Sequence, residues 1–494
     1  MVSSSSHRGL IIFNIAWAVY ALIHLAVDLP RWFFDPLPLV LGIVSSAAAI
    51  GILLRPSSLG RLVLLVVAWS VQKIYFMPFI PNHVFLTLCT HFILLLSLGW
   101  VFVTRDSMSN LSFHFYETFA PLIRIEILIL YFFAVFHKLN TDFFDVAVSC
   151  GWVLYQEMAE LFPLLPTSEP IPFLAIYGTV GVEALIPILL VFHRTRLWGV
   201  GLGVTFHFLL ALGGRPYVAS FSTYMIAVYT LFLSAALHEV LWERVRAWRV
   251  FKWFQNAAQG VRNHRWELLS GTGLLLSALI AAELLLDGWL FRRLAFEIRT
   301  VGQVVYFLWA ISVFLLSGWI WLTLRKKRPS RLLSLHPAQT AFFRPVFTPG
   351  LVALSVMLLN GFSPYLGLKT EMSFSMFSNL RTEVGMSNHL FFPVLSRGNG
   401  YQDDLVTVLD GSAPWTKAAS SREQRISFFE LRRLASRSPT SHTWIEYKRG
   451  SEIVLVQYTE DPKHEVFQQP PLWERKFLRF RPLPPLDAVM TCRH

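Results

Sequence analysis

The sequence has few charged residues for its length. Only 15% of the 494 residues are Asp, Glu, Lys or Arg, whereas 54% are apolar, and the mean hydropathy is +0.49. A soluble protein of this size would carry roughly a quarter charged residues. Apolar runs of about 18 or more residues recur along the chain, and such runs are typical of membrane-spanning helices. The composition therefore indicates a polytopic helical membrane protein.

Cysteine is scarce, and the short motifs of several enzyme classes are missing. The three cysteines, Cys89, Cys150 and Cys492, are far apart and do not have the spacing of a metal site. A disulfide between Cys150 and Cys492 stays an open alternative. The sequence has no P-loop, GxSxG, HExxH, CxxC or GxGxxG context. We therefore expect no metal site, and the sequence does not indicate any of the enzyme classes that these motifs mark.

The positive net charge is explained by membrane topology. The formal net charge is +12, but Lys and Arg cluster in short loops between apolar runs instead of forming a basic face with interleaved aromatics. We expect no nucleic-acid partner. The loops on the side of the N-terminus carry about threefold more basic residues than the opposite loops, which predicts a cytoplasmic N-terminus. The first apolar run lacks a cleavage site and is interpreted as an uncleaved span.

The predicted fold is an all-α polytopic membrane bundle of about 11 transmembrane helices with a small C-terminal extramembrane domain of α/β or mostly β structure. An odd number of spans places this C-terminal domain in the periplasm or lumen. The predicted domains are a transmembrane domain at 1–240, additional transmembrane helices with basic cytoplasmic loops at 241–369, and the extracytoplasmic domain at 370–494.

The individual spans follow from the apolar runs. A small-residue pair, Gly199 and Gly203, predicts close helix packing within the seventh span. The spans are predicted near 10–28, 36–54, 61–80, 83–103, 120–137, 173–192, 198–212, 219–237, 268–290, 301–324 and 346–364.

The last part of the chain has ordinary polarity and a different pattern. Alternating apolar and polar residues predict strands at 373–377, 441–447 and 451–458. The Arg-rich segment at 422–437 is predicted to be helical. This pattern predicts a compact domain outside the membrane.

Five polar residues in or beside the apolar runs are candidate site residues. Lys138 closes the fifth span, Asn82 and His83 open the fourth span from the same side, Glu183 lies inside the sixth span, and His207 lies toward the outer end of the seventh. Desolvation disfavours an ammonium group, so a buried lysine can act as a free-amine base. A nearby histidine could relay a proton, and an asparagine could orient a substrate oxygen.

Each candidate also has a purely structural interpretation. A lysine at a helix end is commonly an interface anchor, and asparagine at a helix start is commonly a cap. His207 on an apolar helix could be a packing residue. Glu183 could pair with a basic loop residue such as Arg194, although carboxylates inside membrane spans are usually functional.

The chain resembles a known family at these same residues. The run Tyr131-Phe-Phe-Ala-Val-Phe-His-Lys138-Leu-Asn-Thr-Asp-Phe is similar to the catalytic-lysine segment of the vitamin K-dependent gamma-glutamyl carboxylase family and of the wider HTTM (horizontally transferred transmembrane) proteins. Asn82-His83 resembles that family's Asn-His motif. Glu183, Phe206-His207 and Phe221-Ser-Thr-Tyr224 resemble the helices that follow, in the same order. The resemblance covers residues from about 10 to 240.

The resemblance implies a lyase mechanism and a lipophilic cofactor. In that family, an active-site lysine deprotonates reduced vitamin K, and the oxygen-dependent reaction produces a strong base that removes a glutamate γ-proton before carbon dioxide adds. Lys138 would match the lysine and His83 the assisting histidine. Asn82, His207 and Glu183 would contact the substrate or the cofactor, which is reduced vitamin K or another quinone. The implied partners are the lipid bilayer, the quinone and a peptide or protein substrate at the outer face.

The chain also differs from the family, so two other function classes stay open. Only about 120 residues follow the last predicted span, whereas the carboxylases carry a much larger lumenal region. The tail segment around Phe374 and Glu383 resembles a carboxylase strand only loosely. A non-enzymatic membrane scaffold with a partner-binding tail is the first alternative. A transporter with a proton path through Glu183 and His207 is the second, although no inverted repeat supports it.

Overall fold

The computed structural model describes most of the N-terminal half and the C-terminal region of the chain. The described residues are 2–33, 35–104, 110–213, 215–247, 256, 318, 342–345, 349–393, 400–420, 424–437, 439–484 and 492. Two predicted spans, at 268–290 and 301–324, lie outside the described residues except for position 318.

Helices dominate the described residues, and their bounds follow the apolar runs. The long helices end where Pro, Gly or polar residues interrupt a run, as at Arg55 after the second helix. The helices are α1 (Val2–Trp32), α2 (Pro36–Leu54), α3 (Leu59–Phe76), α4 (Asn82–Thr104), α5 (Leu111–Phe136), α6 (Thr141–Phe144), α7 (Cys150–Leu161), α8 (Ile171–Val191), α9 (Arg196–Ala211), α10 (Pro216–Tyr229), α11 (Ala235–Ala247) and α12 (Gly350–Phe362).

Six of the described helices are long and apolar enough to cross a membrane. They are α1 from Ser6 to Trp32 and the helices α2, α3, α4, α5 and α8. Two shorter apolar helices, α9 and α12, coincide with the predicted spans at 198–212 and 346–364. These helices indicate a multi-pass membrane protein. The total of eleven spans stays a prediction.

The chain divides into two compact units, and five of the described helices, α3, α4, α5, α8 and α12, contribute residues to both. Unit 1 comprises Met1–Tyr75, Thr87–Leu128 and Leu185–Leu354, and unit 2 comprises Phe76–Leu86, Ile129–Ala184 and Ser355–His494.

Aromatic side chains fill the centre of unit 1. The Trp17 ring is fully buried and lies within 5.2 to 6.4 Å of the rings of Tyr20, Trp69, His91 and Tyr224. Such aromatic pairs combine a large buried area with edge-to-face contacts. They join α1, α3, α4 and α10 into one core.

The glycine pair of α9 permits the close packing that the sequence predicts. A Cβ atom at Gly203 would lie 2.4 Å from the Tyr229 hydroxyl oxygen of α10. A Cβ atom at Gly199 would lie 3.0 Å from Leu189 Cβ at the end of α8. Small residues let the helices approach at both points, so this prediction is confirmed.

Unit 2 contains a small antiparallel sheet in the C-terminal region. Its strands are β1 (Leu405–Gly411), β2 (Arg425–Ser427), β3 (Trp444–Arg449) and β4 (Glu452–Gln457), in the order β2-β1-β3-β4. Alternate residues of β1 and β3 point into the core, for example Val406, Val408, Ile445 and Tyr447. The strands predicted at 441–447 and 451–458 are therefore confirmed.

Short helices cover the buried face of this sheet. They are α13 (Pro414–Ser420), whose Trp415 packs against the core of the sheet, and α14 (Phe428–Ala435). A further short helix, α15 (Leu472–Phe477), has no buried residue. Ser427 caps α14 because its hydroxyl accepts a hydrogen bond from the Glu430 amide at 3.2 Å. Phe428 and Leu431 of α14 are buried in the same core as β1 and β3.

Two predictions for the C-terminal region were wrong in part. The segment at 373–377 is not a strand, because Phe374 and Phe377 have positive φ angles of 62° and 53° and break the extended pattern. The helix predicted over 422–437 begins only at Phe428. The residues just before it, Arg425–Ser427, pair with β1 as strand β2.

Candidate functional site

Lys138 forms a buried ion pair with Glu183 in unit 2. The helix α5 ends at Phe136, and Lys138 follows in a turn. Its Nζ lies 2.7 Å from Glu183 Oε2 on α8 and also donates to the Ala134 carbonyl oxygen at 3.1 Å. Lys138 is 5% exposed and Glu183 is 9% exposed. The ammonium therefore has a carboxylate partner inside the protein instead of reaching its surface.

The two charges of this pair depend on each other. A single buried charge would be strongly unfavourable, and each member of the pair compensates the other. Removal of either side chain would therefore leave the other charge buried without this partner.

Asn140 fixes the backbone directly after Lys138. The Asn140 side chain is fully buried and makes hydrogen bonds with both of its polar atoms. Its Nδ2 donates to the carbonyl oxygens of His137 at 2.7 Å and Ser378 at 2.6 Å. Its Oδ1 accepts from the Phe143 amide at 2.8 Å and caps the short helix α6. A single asparagine therefore holds the turn that presents Lys138.

A stretch of the C-terminal region, residues 372–392, packs against this turn and is called the tail segment below. The Thr141 amide donates to the Asn388 carbonyl oxygen at 3.0 Å, and the Leu390 amide donates to the Leu139 carbonyl oxygen at 2.8 Å. The tail segment thus pairs with the backbone on both sides of Asn140.

His389 of the tail segment is held as a neutral imidazole. Its Nε2 donates to the Phe136 carbonyl oxygen at 2.8 Å, and its Nδ1 accepts from the amides of Phe391 at 3.2 Å and Phe392 at 3.0 Å. Protonation of Nδ1 would remove an acceptor from both amides. Burial lowers the pKa of His389 below its usual range, in agreement with this arrangement.

Asn82 and His83 also lie in unit 2. Asn82 Oδ1 accepts a hydrogen bond of 2.7 Å from the Phe374 amide of the tail segment, and His83 is 2% exposed. The Phe374 ring has the rings of Phe85 and Phe133 as neighbours, with centroids at 6.1 and 6.3 Å. Asn82 therefore contacts the tail segment, beside a group of aromatic side chains.

The tail segment is held in an unusual backbone conformation. Five non-glycine residues within it have φ angles between +53° and +62°, and each such residue costs roughly 1–3 kcal/mol. Side chains from elsewhere in unit 2 hold some of them in place, for example Asn82 at Phe374. The five residues are Met372, Phe374, Phe377, Asn379 and Val384. Strain of this kind is concentrated at functional sites.

Cys150 and Cys492 form a disulfide, so the pairing that the sequence left open is present. Their Cα atoms are 4.8 Å apart. Asn379 of the tail segment binds the same region, because its Oδ1 accepts from the Cys150 amide at 2.8 Å and its Nδ2 donates to the Val148 carbonyl oxygen at 2.9 Å. The end of the chain is thereby linked covalently to the start of α7.

His207 is placed in unit 1 and is not brought into the unit that contains Lys138. It is 2% exposed, and its ring lies 5.1 Å from the ring of Phe221 and 6.1 Å from that of Tyr229. Unit 2 contains the other four candidate residues, Asn82, His83, Lys138 and Glu183.

Sequence reasoning missed several polar residues that the structure places in the protein interior. Asn140 and His389 support the Lys138 turn, and their partners are distant in sequence. Asp28, Lys73 and Glu126 are buried in unit 1, and each had a recognisable signal, because it is an ionisable residue inside or at the end of an apolar run.

Aromatic and polar side chains meet around Phe374 in unit 2. The buried rings of Phe85 and Phe133 pack beside the Phe374 ring, and Asn82 binds the Phe374 amide. Among the described residues, no group of three or more His, Cys, Asp or Glu side chains is arranged to hold a metal ion.

No protein-family model, curated protein or solved structure matches this chain.

Proposed function

We propose that the chain is an integral-membrane enzyme similar to the vitamin K-dependent γ-carboxylases, in which Lys138 deprotonates a reduced quinone. The observation that supports this most directly is the buried ion pair of Lys138 and Glu183, with 2.7 Å between Nζ and Oε2. Burial of a lysine or a glutamate in an apolar region costs free energy, and such residues usually have a functional role.

The pair supplies a route for the proton. When bound, a reduced quinone supplies an acidic hydroxyl and oxygen-dependent redox chemistry. Lys138 passes one of its protons to Glu183 Oε2 and accepts the hydroxyl proton at Nζ, so that charge is conserved at every stage. Glu183 is the residue that restores the free amine, which general-base catalysis requires.

Asn82 and His83 complete the proposed site. The buried His83 imidazole would accept or donate a hydrogen bond to a substrate oxygen. The carboxamide of Asn82 orients the tail segment at Phe374, and the rings around Phe374 would hold the quinone ring by stacking. The substrate that is carboxylated would be glutamate in a peptide or protein, or a related acid.

The location of the tail is part of this proposal. We place the N-terminus in the cytoplasm and the C-terminal region in the periplasm or lumen. The loop charges support this orientation, and so does the disulfide between Cys150 and Cys492, because disulfides persist in oxidising compartments.

The test is oxygen-dependent conversion of reduced vitamin K to its epoxide by purified protein in nanodiscs. Lys138→Met and Glu183→Gln should each reduce turnover, the first by at least ~100-fold, because general-base catalysis contributes roughly 10²–10⁴-fold. Bound lipids from the same preparation are extracted for mass spectrometry, and labelled carbon dioxide is followed into a glutamate peptide.

Matched controls test whether loss of any lysine or glutamate of unit 2 is enough to reduce turnover. Lys448 on β3 and Glu160 on α7 are exposed residues of unit 2, so Lys448→Met and Glu160→Gln should leave turnover unchanged. Epoxide formation that survives Lys138→Met would refute the catalytic role. Epoxide formation without carboxylation would support the quinone chemistry. It would also mean that a compound other than the glutamate peptide is the substrate of the second step.

A membrane scaffold is the second candidate function, and an exposed apolar surface favours it. Ile453 and Leu455 of the edge strand β4 are 63% and 58% exposed, and Trp473 of α15 is 61% exposed. Exposed apolar residues on an edge strand are a typical partner-binding feature. Under this hypothesis Ile453→Glu with Leu455→Glu abolishes function in cells, while Lys138→Met has little effect.

A further inference from the structure

Unit 1 contains a second group of buried ionisable side chains, which the proposed function does not use. Asp28 near the end of α1 is 1% exposed, and Lys73 of α3 donates to its Oδ2. His24 Nε2 lies 3.4 Å from the same oxygen, and the Tyr217 hydroxyl donates to Asp28 Oδ1 at 3.3 Å. Arg31 Nη1 is 3.7 Å from Oδ1. Three helices thus converge on one buried carboxylate.

A second buried carboxyl group of unit 1 lies on another helix, α5. Glu126 of α5 is fully buried, and the Thr90 hydroxyl lies 3.0 Å from each of its oxygens. The Tyr224 hydroxyl lies 2.9 Å from Thr90 Oγ1. Within the described parts of the chain, no lysine, arginine or histidine forms an ion pair with Glu126. An uncompensated buried carboxylate is so unfavourable that the neutral acid is the expected form.

Hydroxyl groups lie between these two sites. The Tyr20 hydroxyl is 2.5 Å from Thr87 Oγ1, and Thr87 lies one helical turn before Thr90 on α4. The Tyr20 ring lies 5.4 Å from the Tyr224 ring and 6.1 Å from the His24 ring. The buried hydroxyls between the two sites therefore form two hydrogen-bonded pairs, Tyr20 with Thr87 and Tyr224 with Thr90, within the aromatic core.

We propose that these side chains form a buried proton-exchange path, with Glu126 as the proton-binding group at one end and the cluster of Asp28, His24 and Lys73 at the other. The ligand is the proton, which needs no cavity. Protons move by exchange between neighbouring oxygens and nitrogens. Glu126 gives its proton to Thr90 Oγ1 as the Thr90 hydroxyl passes its own hydrogen to Tyr224, and rotation of the buried hydroxyls passes a proton on through Thr87 and Tyr20 to His24 beside Asp28. Transfer in the opposite direction restores the neutral acid.

Ionisable residues inside membrane segments commonly mark proton relays, and the composition of this path agrees with that role. The hydroxyls of threonine and tyrosine can both donate and accept, as a relay requires. The titratable and charged groups that face the path are His24, Asp28 and Arg31 of α1, Lys73 of α3, Cys89 and His91 of α4, and Tyr217 and Tyr224 of α10.

The test is infrared spectroscopy of the full-length protein in nanodiscs. A protonated buried carboxyl has a carbonyl-stretch band that shifts when its proton is replaced by deuterium. Glu126→Gln should remove this band. Glu117→Gln is the matched control on the same helix, because Glu117 is exposed, and it should leave the band unchanged. Absence of any band that depends on Glu126 would overturn the proposal.

The rate of exchange tests the path itself. After transfer to heavy water, Thr90→Val and Tyr20→Phe should each slow the shift of the Glu126 band at least about fivefold, because each removes a hydrogen-bonding hydroxyl. Thr223→Val is the control, since the buried Thr223 hydroxyl donates only within its own helix to the Ala219 carbonyl oxygen.

The variant Thr90→Ser keeps the hydroxyl and therefore distinguishes loss of the hydroxyl from disturbed packing. Thr90→Ser should exchange at the wild-type rate. If Thr90→Val and Tyr20→Phe exchange as fast as the wild type, the path is refuted and the buried groups only hold the helices together. If Thr90→Ser is as slow as Thr90→Val, the effect arises from packing, and the path is refuted in the same way.

Discussion

Asn82 at the start of α4 and Phe374 in the tail segment are joined by a hydrogen bond of 2.7 Å, from the Phe374 amide to Asn82 Oδ1. The two residues are 292 positions apart in the sequence. The bond holds Phe374 at a φ of 62°. A residue that resembles part of a catalytic motif therefore also supports the backbone of the tail segment.

Asn82→Ala should loosen the tail segment locally. The Phe374 amide would lose its acceptor, which costs roughly 1–3 kcal/mol when the group stays buried. Hydrogen–deuterium exchange measured by mass spectrometry should show faster exchange around Phe374. Gln457→Ala, at the exposed end of β4, is the control and should leave that exchange unchanged. Unchanged exchange in Asn82→Ala would show that other contacts hold Phe374.

Asn140→Asp should destabilise unit 2 more than Asn140→Ala does. Asn140 Nδ2 faces two carbonyl oxygens, those of His137 and Ser378, and aspartate would place a negative charge there. We expect a loss of roughly 3 kcal/mol or more for a buried charge without a partner. Thermal unfolding in detergent compares the melting temperatures of the two variants. A milder effect for aspartate would contradict the assigned orientation of the carboxamide.

Lys138 and Glu183 should show strong coupling in a double-mutant cycle. Either Lys138→Met or Glu183→Gln leaves one buried group without its partner, which costs about 3–5 kcal/mol. The double variant should be destabilised by much less than the sum of the two single variants. Chemical denaturation of the purified protein measures the coupling free energy. Additive effects would mean that the pair is not formed in solution.

His389 should make stability depend on pH. The folded state keeps this imidazole neutral and its pKa lies below the value of about 6.5 in the unfolded chain. The unfolded state therefore binds more protons, so the free energy of unfolding falls as the pH falls below about 6.5. His389→Gln should weaken this dependence, whereas the exposed His442→Gln should not. Thermal unfolding across this pH range is the measurement.

Reduction of the disulfide between Cys150 and Cys492 should destabilise unit 2. Loss of a native disulfide typically costs about 2–5 kcal/mol. The melting temperatures measured with and without a reductant should differ for the wild type and for Cys89→Ala. They should not differ for Cys150→Ala. A wild type that is insensitive to reductant would mean that the two thiols are not joined.

The sequence alone determined the parts of the fold that depend on local periodicity. Apolar runs predicted the helices α1 to α5 and α8 to α10 but not the short helices α6 and α7, and the second span matches α2 (Pro36–Leu54) at both ends. Alternation predicted β3 and β4, and Gly199 with Gly203 predicted the close packing of α9. These features can be predicted because the length of an apolar run and the period of a strand act on neighbouring residues. The same reasoning failed at 373–377, where hydrogen bonds with distant residues override the local alternation.

Only the tertiary structure decided which polar residues meet. Lys138 was a visible candidate, but its contact with Glu183 depends on how α5 and α8 pack, and the sequence left a basic loop residue such as Arg194 open as the partner of Glu183. The contacts of Asn140 with Ser378 and of Asn82 with Phe374 also join residues that are far apart in the chain. A buried polar group must find a partner wherever the fold supplies one. Sequence patterns show that such a group is buried, and three-dimensional packing alone selects its partner.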